Sequence, residues 1–343
     1  MRTAIIEKIG RFTIKDVPKP TPGYEEALIK ISTAGVCHSD LHLAKGDWVK
    51  TKPPFPLGHE AIGIVEELGP GAEKFVKKGD RVIIGLGGTA GSYWCGACEY
   101  CLAGKPMFCT KHVNFFGAFS EYVSNWAKAL VVLPDEVGDI EAPLACAGLT
   151  AYSAIKKLIN FGISPGKPIA IIGAAGGLGH YGLQIAKAFG YKVIGVEASQ
   201  EKLEIVKKLG ADYAVEASEV KSLAYNTFGG VYASLDFSSK IAGLELGLKI
   251  LRPGGLIIAV GLPAFREGNL SIGPFQFILK GLQMIGSVVG TVEEMRELVQ
   301  LAADGKVKTH VGRTVSLSEI NHVFEELEEG KFVGRAIIDN MTK

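Results

Sequence analysis

The sequence predicts an α/β protein of two domains, one mainly β and one built on a doubly wound parallel sheet, and three observations predict it. The chain has 343 residues, enough for two separate cores. Its early part is turn-rich, with VPKPTPGYEE and KTKPPFPLGHE between short apolar runs. From about Ala151 strands alternate with amphipathic helices, the signature of βαβ units.

In the first domain, residues 1–148, the strands expected are ALIKIS (Ala27 to Ser32), AIGIVEEL (Ala61 to Leu68) and RVIIG (Arg81 to Gly85). The second domain, 149–287, runs PIAIIG, KVIGVE, DYAVEA, VYASLDFS, LIIAVGL and QMIGSVV, with helices between. Residues 288–343 hold the helical stretch EEMRELVQLAADG and a tail expected to return to the first domain. No internal repeat or low-complexity tract is visible.

With 37 basic and 36 acidic side chains, nothing points to a nucleic-acid or anionic-membrane partner. The opening MRTAIIEKIGRF is too charged for a secretory signal. No apolar run approaches the roughly 20 residues that span a bilayer. A cytoplasmic protein is therefore expected, where six cysteines read as metal ligands or catalytic groups rather than disulfides.

Four of them, Cys95, Cys98, Cys101 and Cys109, are spaced C-x2-C-x2-C-x7-C in a lobe of about 95–109. Two-residue gaps let thiolates converge on one ion, and four fill the tetrahedral shell of zinc, so this site should be structural. An iron–sulfur cluster also uses four cysteines, but the usual bacterial run ends x3-C-P. A redox pair would need only C-x2-C. Cys37 in AGVCHSDLH and Cys146 in EAPLACAGLTAY stand apart, with His59 of PLGHEAIG between them. Taken singly, each has a plainer role, the cysteine as a small hydrophobe and the histidine as a satisfied core residue.

In the second domain IAIIGAAGGLGHYGLQIAKAFG reads as strand, glycine turn and helix, with Gly173, Gly176, Gly177 and Gly179 in the turn around Leu178. Such a turn lets a pyrophosphate approach backbone N–H groups at a helix N-terminus. A phosphate loop of the ATPase type is disfavoured, because His180 and Tyr181 follow where Lys and Ser/Thr would stand. The next strand ends at Glu197, where an acid can accept both ribose hydroxyls of NAD and repels the 2′-phosphate of NADP.

In this order, GVCHSDLH, GHE, the four-cysteine lobe, LACAGLTAY and GAAGGLG resemble the zinc-dependent alcohol dehydrogenases of the medium-chain dehydrogenase/reductase family. The resemblance extends to VGRAIIDN and covers essentially the whole chain. It implies a GroES-like mainly-β catalytic domain and a Rossmann cofactor domain. It also implies NAD, two zinc ions per chain, and reversible oxidation of primary or secondary alcohols to aldehydes or ketones through a zinc-bound alkoxide and hydride transfer. Cys37, His59 and Cys146 match the family's catalytic zinc ligands, the Cys2His count being taken over from the family itself. Asp40 and Glu60 match its carboxylates beside the metal, Ser39 the hydroxyl that bonds the substrate oxygen, and His42 the histidine that passes the proton to solvent. His38 and Arg335 match positions near the pyrophosphate, Lys202 the adenosine ribose, and Thr150, Val260 and Leu262 further cofactor contacts. Relatives often carry a pocket tryptophan where Ala90 stands here, and the segment between Cys109 and Gly117 is shorter than usual. Both changes suggest a wider pocket, with Trp48 a candidate wall. A polyol or amino-alcohol dehydrogenase is the alternative within the superfamily, and Cys146 argues against its usual acidic ligand. A cofactor-binding protein without turnover is the alternative outside it. A homo-oligomer, a tetramer more readily than a dimer, is what the resemblance implies for assembly.

Overall fold

The structure, a computed structural model, describes residues 1–48, 52–84 and 91–341, so Ala90 lies outside the described residues. The chain divides into one unit of Met1–Leu149 with Val289–Lys343 and another of Thr150–Val288.

The first unit begins with β1 (Arg2–Lys8), β2 (Arg11–Asp16), β3 (Glu26–Val36), β4 (Phe55–Pro56), β5 (Ala61–Leu68) and β6 (Arg81–Ile84). It continues with β7 (Gly91–Tyr93), β8 (Val113–Asn114), β9 (Tyr122–Trp126) and β10 (Leu130–Val132). The second unit contributes β11 (Pro168–Ile172), β12 (Lys192–Glu197), β13 (Tyr213–Glu216), β14 (Val231–Asp236), β15 (Leu251–Ala259) and β16 (Gln283–Gly286). The strands β17 (Val311–Ser316) and β18 (Arg335–Asn340) belong again to the first.

The main sheet of the first unit runs β10-β6-β5-β3-β18-β17, with β9 also on β3. β3 is its hub: β5, β9 and β18 all pair with it antiparallel. Of its residues only Lys30 is exposed, because neighbours cover the strand on nearly every side. Its far end, Thr-Ala-Gly-Val, stays buried up to the first of the isolated cysteines. A core of Ile29, Leu57, Val65, Val82, Phe119 and Phe324 packs behind it. The tail supplies a parallel pair, β17 with β18, joined by the helix Ile320–Glu328.

Every pairing in the second unit is parallel, and the order is β13-β12-β11-β14-β15-β16. Strand order reverses between β11 and β14, which makes the crevice beyond their C-terminal ends the place where open sheets of this kind bind ligands. β11 is buried at all five positions, as a strand covered on both faces must be. Helices Gly179–Ala188, Leu203–Lys208, Val220–Phe228 and Ile241–Lys249 connect the strands. No helix among the described residues is long and apolar enough to cross a membrane.

Candidate active site

Three turns of the first unit meet at one point. Cys37 follows β3 in an extended conformation and starts the helix His38–Lys45. His59 lies just before β5, after Gly58, whose φ of 88° is left-handed and whose Cβ, were there one, would meet the Phe119 backbone nitrogen at 2.7 Å. Cys146 closes the 3-10 helix Asp139–Ala145. Sulfur, nitrogen and carboxylate atoms of Cys37, His59, Glu60 and Cys146 all lie within 4.8 Å of one another, and all four residues are buried.

The polar surroundings orient His59. Asp40, fully buried, takes the His59 Nδ1–H at 2.9 Å and the Gly58 N–H at 2.9 Å on the same oxygen. That bond fixes the imidazole and leaves Nε2, buried, with no hydrogen-bond partner. A buried nitrogen is seldom left so. Two sulfurs beside it make a Cys2His donor set that suits zinc, so the residues present fit the metal. Glu60 is near enough to be a fourth donor, but its carboxylate is engaged by the buried Arg335 guanidinium and accepts the Ala147 N–H at 3.2 Å.

Burial and the groups' own charges shift the titration of each of these residues. The hydrogen bond from the Cys146 thiol, with the Arg335 and His59 charges beside it, outweighs burial and holds Cys37 well below the usual thiol range. The same bond, with burial, pushes Cys146 well above it. Burial would lower His59, yet the charge and hydrogen bond of Asp40 carry it well above its ordinary value. Burial lifts Glu60 to about 7 against the pull of Arg335.

On the helix that Cys37 starts, Ser39 is half-buried and His38 exposed. His42 lies one turn on, its Nδ1 2.8 Å from the Asp47 carboxylate and its ring centroid 4.7 Å from that of Trp48. Trp48 therefore stacks on His42.

The four-cysteine lobe is of another kind. Cys95, Cys98, Cys101 and Cys109 also lie within 4.8 Å of one another, but three of them are half-exposed. Their sulfurs collect backbone donors: Cys109 accepts from Cys95 and Lys111 at 3.3 and 3.4 Å, and Cys95 accepts from Cys98 at 3.3 Å. Backbone N–H groups of Cys101 and Thr110 bring Cys98 down to about 6. Four sulfurs with no open donor position fit a structural zinc.

In the second unit the glycine turn leaves β11 at Gly173, whose φ of 75° favours glycine. A Cβ on Gly179, first residue of the following helix, would sit 2.0 Å from the Gly173 carbonyl oxygen. The turn is thus closed too tightly for any side chain at Gly179. Glu197, at the end of β12, accepts the Ala175 N–H at 2.5 Å and so stands against this turn. Val260 donates its N–H to the Asp236 carbonyl, Leu262 is exposed, Thr150 buried and Lys202 half-buried.

Three features escaped the sequence reading. Asp47 lies five residues beyond His42 and looks like an ordinary loop acid in KGDW. Arg335 pairs with Glu60 across 275 residues, a separation no local pattern reveals. Phe116 sets its ring edge-on to His59, centroids 6.3 Å apart, in the short segment before Gly117.

Known proteins resemble the chain along its whole length. Residues 23–135 match the family model described as alcohol dehydrogenase GroES-like domain, and residues 177–304 match the one described as zinc-binding dehydrogenase. An alcohol dehydrogenase of Geobacillus stearothermophilus is 40% identical over 347 residues, covering 98% of this chain and 99% of that protein. One of Moraxella sp. (strain TAE123) is 38% identical, covering 99% of each. Among solved structures, the alcohol dehydrogenase of Aeropyrum pernix has a TM-score of 0.87 at 34% identity, covering 99% of this chain and 100% of that one. A structure described as an NAD-dependent alcohol dehydrogenase has a TM-score of 0.89 at 27% identity, covering 99% of each chain.

Proposed function

This chain belongs to the zinc-dependent alcohol dehydrogenases of the medium-chain dehydrogenase/reductase family, and from that premise we propose that it is an enzyme oxidising primary or secondary alcohols reversibly to aldehydes or ketones with NAD. The observation that carries this reading is the buried Cys37, His59 and Cys146 set with the partnerless His59 Nε2. Those three residues would hold the catalytic ion, and the lobe cysteines the structural one. When bound, zinc supplies the Lewis acidity that lowers the pKa of water from about 15.7 to about 7, and NAD supplies the hydride acceptor.

The chain's own residues do the rest. Asp40 fixes the His59 tautomer by taking Nδ1–H, so that Nε2 is the donor. Arg335 and the Ala147 N–H keep Glu60 occupied, which leaves a position beside the three donors for the substrate oxygen. Ser39 bonds that oxygen and receives its proton, and His42 delivers the proton to solvent. The turn Gly173–Gly179 binds the pyrophosphate through backbone N–H groups at the start of its helix. Glu197, against the same turn, accepts ribose hydroxyls and selects NAD over NADP.

Assembly and location complete the proposal. Phe275, Ile278 and Leu279, on the helix just before the edge strand β16, and Phe265 are each about 70% exposed or more, which supports a homo-oligomer. A cytoplasmic location follows from thiols that must stay reduced. The test is NADH formation across an alcohol panel alongside zinc analysis. Turnover with two zincs per chain is expected; a zinc-replete protein that reduces no NAD with any alcohol would overturn the reading.

A further inference from the structure

We propose that Asp47 is a positioning residue for proton release: its carboxylate holds His42 in the Nδ1–H tautomer, so that Nε2 is the atom that takes the alcohol's proton. The inference rests on the relay role proposed for His42. It starts from how the helix His38–Lys45 ends. Gly46 adopts a left-handed φ of 72°, and the chain folds back so that Asp47 donates its N–H to the His42 carbonyl at 2.9 Å. The same turn swings the Asp47 side chain onto its own helix, where Oδ2 lies 2.8 Å from Nδ1 of His42. Backbone and side chain of one residue thus grip one histidine twice. Trp48 covers a face of the imidazole, its ring inclined at 33° to it. His42 and Asp47 side chains are only 13% and 14% exposed, so solvent weakens the contact little.

No other acid is committed to this ring among the described contacts. His38, on the same helix, keeps its ring centroid 6.4 Å away. Lys45 is taken by Glu328 of the helix Ile320–Glu328. In a neutral imidazole one nitrogen carries the proton and the other accepts, and the bond made by the first decides which is which. With Nδ1–H given to Asp47, the lone pair is at Nε2. For each alcohol oxidised, one proton leaves the hydroxyl at Ser39 and ends on Nε2 of His42. The resulting imidazolium is paired with the Asp47 carboxylate, and water then removes the proton to restore the neutral ring. Without Asp47 the Nε2–H tautomer becomes available, which cannot accept, and the cation loses its counter-charge.

The experiment uses the full, zinc-replete chain with ¹⁵N-labelled histidine and no cofactor, with His42 resonances identified by their loss in His42→Gln. In the wild type, Nδ1 is expected as the protonated nitrogen and Nε2 as the bare one; Asp47→Ala should turn His42 to the Nε2–H form. With benzyl alcohol and NAD, Asp47→Ala should lower kcat about tenfold near pH 7 with zinc content unchanged. The deficit should shrink as pH rises and hydroxide takes the proton directly. Asp47→Ala added to His42→Gln should cost nothing more. An unchanged tautomer in Asp47→Ala, or losses that multiply in the double variant, would overturn the proposal. If Asp47→Ala sheds zinc, Asp47→Leu, close in shape and without any acceptor, carries the same tests. A His42→Gln enzyme with normal kinetics would refute the relay, while the tautomer still decides what Asp47 does.

Discussion

The two cysteine centres of the first unit use the same atoms in opposite ways. The lobe gathers its four sulfurs from fifteen consecutive residues, Cys95 to Cys109, with backbone N–H groups as its support, and leaves three of them half-exposed. The other centre draws Cys37, His59 and Cys146 from three distant turns, buries all of them, and backs them with Asp40, Glu60 and Arg335. A local site can be made by spacing alone. A site that must keep a donor position open needs the fold to hold its ligands, and charged groups to occupy whatever would close it.

That contrast can be broken most forcefully at Cys146. Changing it to Ser should lower kcat/KM at least about a thousandfold, roughly 4 kcal/mol of lost transition-state stabilisation, and remove one zinc of two. Unfolding temperature should barely move. A Cys146→Ser enzyme that kept half its rate would erase the distinction between the centres.

Next in size is the polar backing. Glu60→Ala leaves the Arg335 guanidinium buried beside two thiols without its carboxylate, and should cost about 3 kcal/mol by urea denaturation. Arg335→Met with Glu60→Gln, which removes both charges, should recover much of it. A double-variant loss equal to the sum of the two single losses would mean the pair is not acting as one.

A smaller effect is expected in the lobe. Cys98→Ser should lose the other zinc and lower the unfolding temperature by about 5 °C, with kcat/KM at 25 °C within about threefold of wild type. Calorimetry and metal analysis check it; a collapse of activity in protein still folded would show that the lobe shapes the active centre.

The gentlest test concerns the segment that delivers Cys146. Glu141 accepts the Thr309 N–H at 2.9 Å and its hydroxyl at 2.6 Å, and burial raises its pKa above the ordinary carboxylate value. A raised folded-state value means that the native state binds the proton more tightly. The stabilisation is therefore full below the unfolded value and fades as pH climbs through the folded one. Glu141→Gln, which keeps the acceptor and cannot ionise, should gain on the wild type as pH rises across that window. A gap in urea midpoint that stays constant from pH 4 to pH 7 would contradict the assignment.

These contrasts also explain what could be read from the residues. C-x2-C-x2-C-x7-C announces its own geometry, and strand-glycine-helix at Gly173 announces a phosphate turn, because both are local. The doubly wound sheet was legible for the same reason, from alternating periods. Cys37, His59 and Cys146 became legible only through the order of the words around them, since no spacing says that β3 brings residue 37 to residue 146. The Glu60–Arg335 pair needed β18 to dock on β3. Asp47 needed Gly46 to reverse the chain, and a glycine after a helix says only that the helix stops.

The placement of the indoles has a practical consequence. The chain has three tryptophans, and Trp94 and Trp126 lie together, 4.7 Å apart, beside the first lobe cysteine, whereas Trp48 leans on His42. Intrinsic emission is thereby partitioned: two fluorophores watch the lobe and one watches the imidazole, whose protonated form quenches. Replacing Trp48 with Phe would leave an unlabelled optical probe of the lobe, and subtracting its spectrum from the parent's would give a probe of the His42 imidazole.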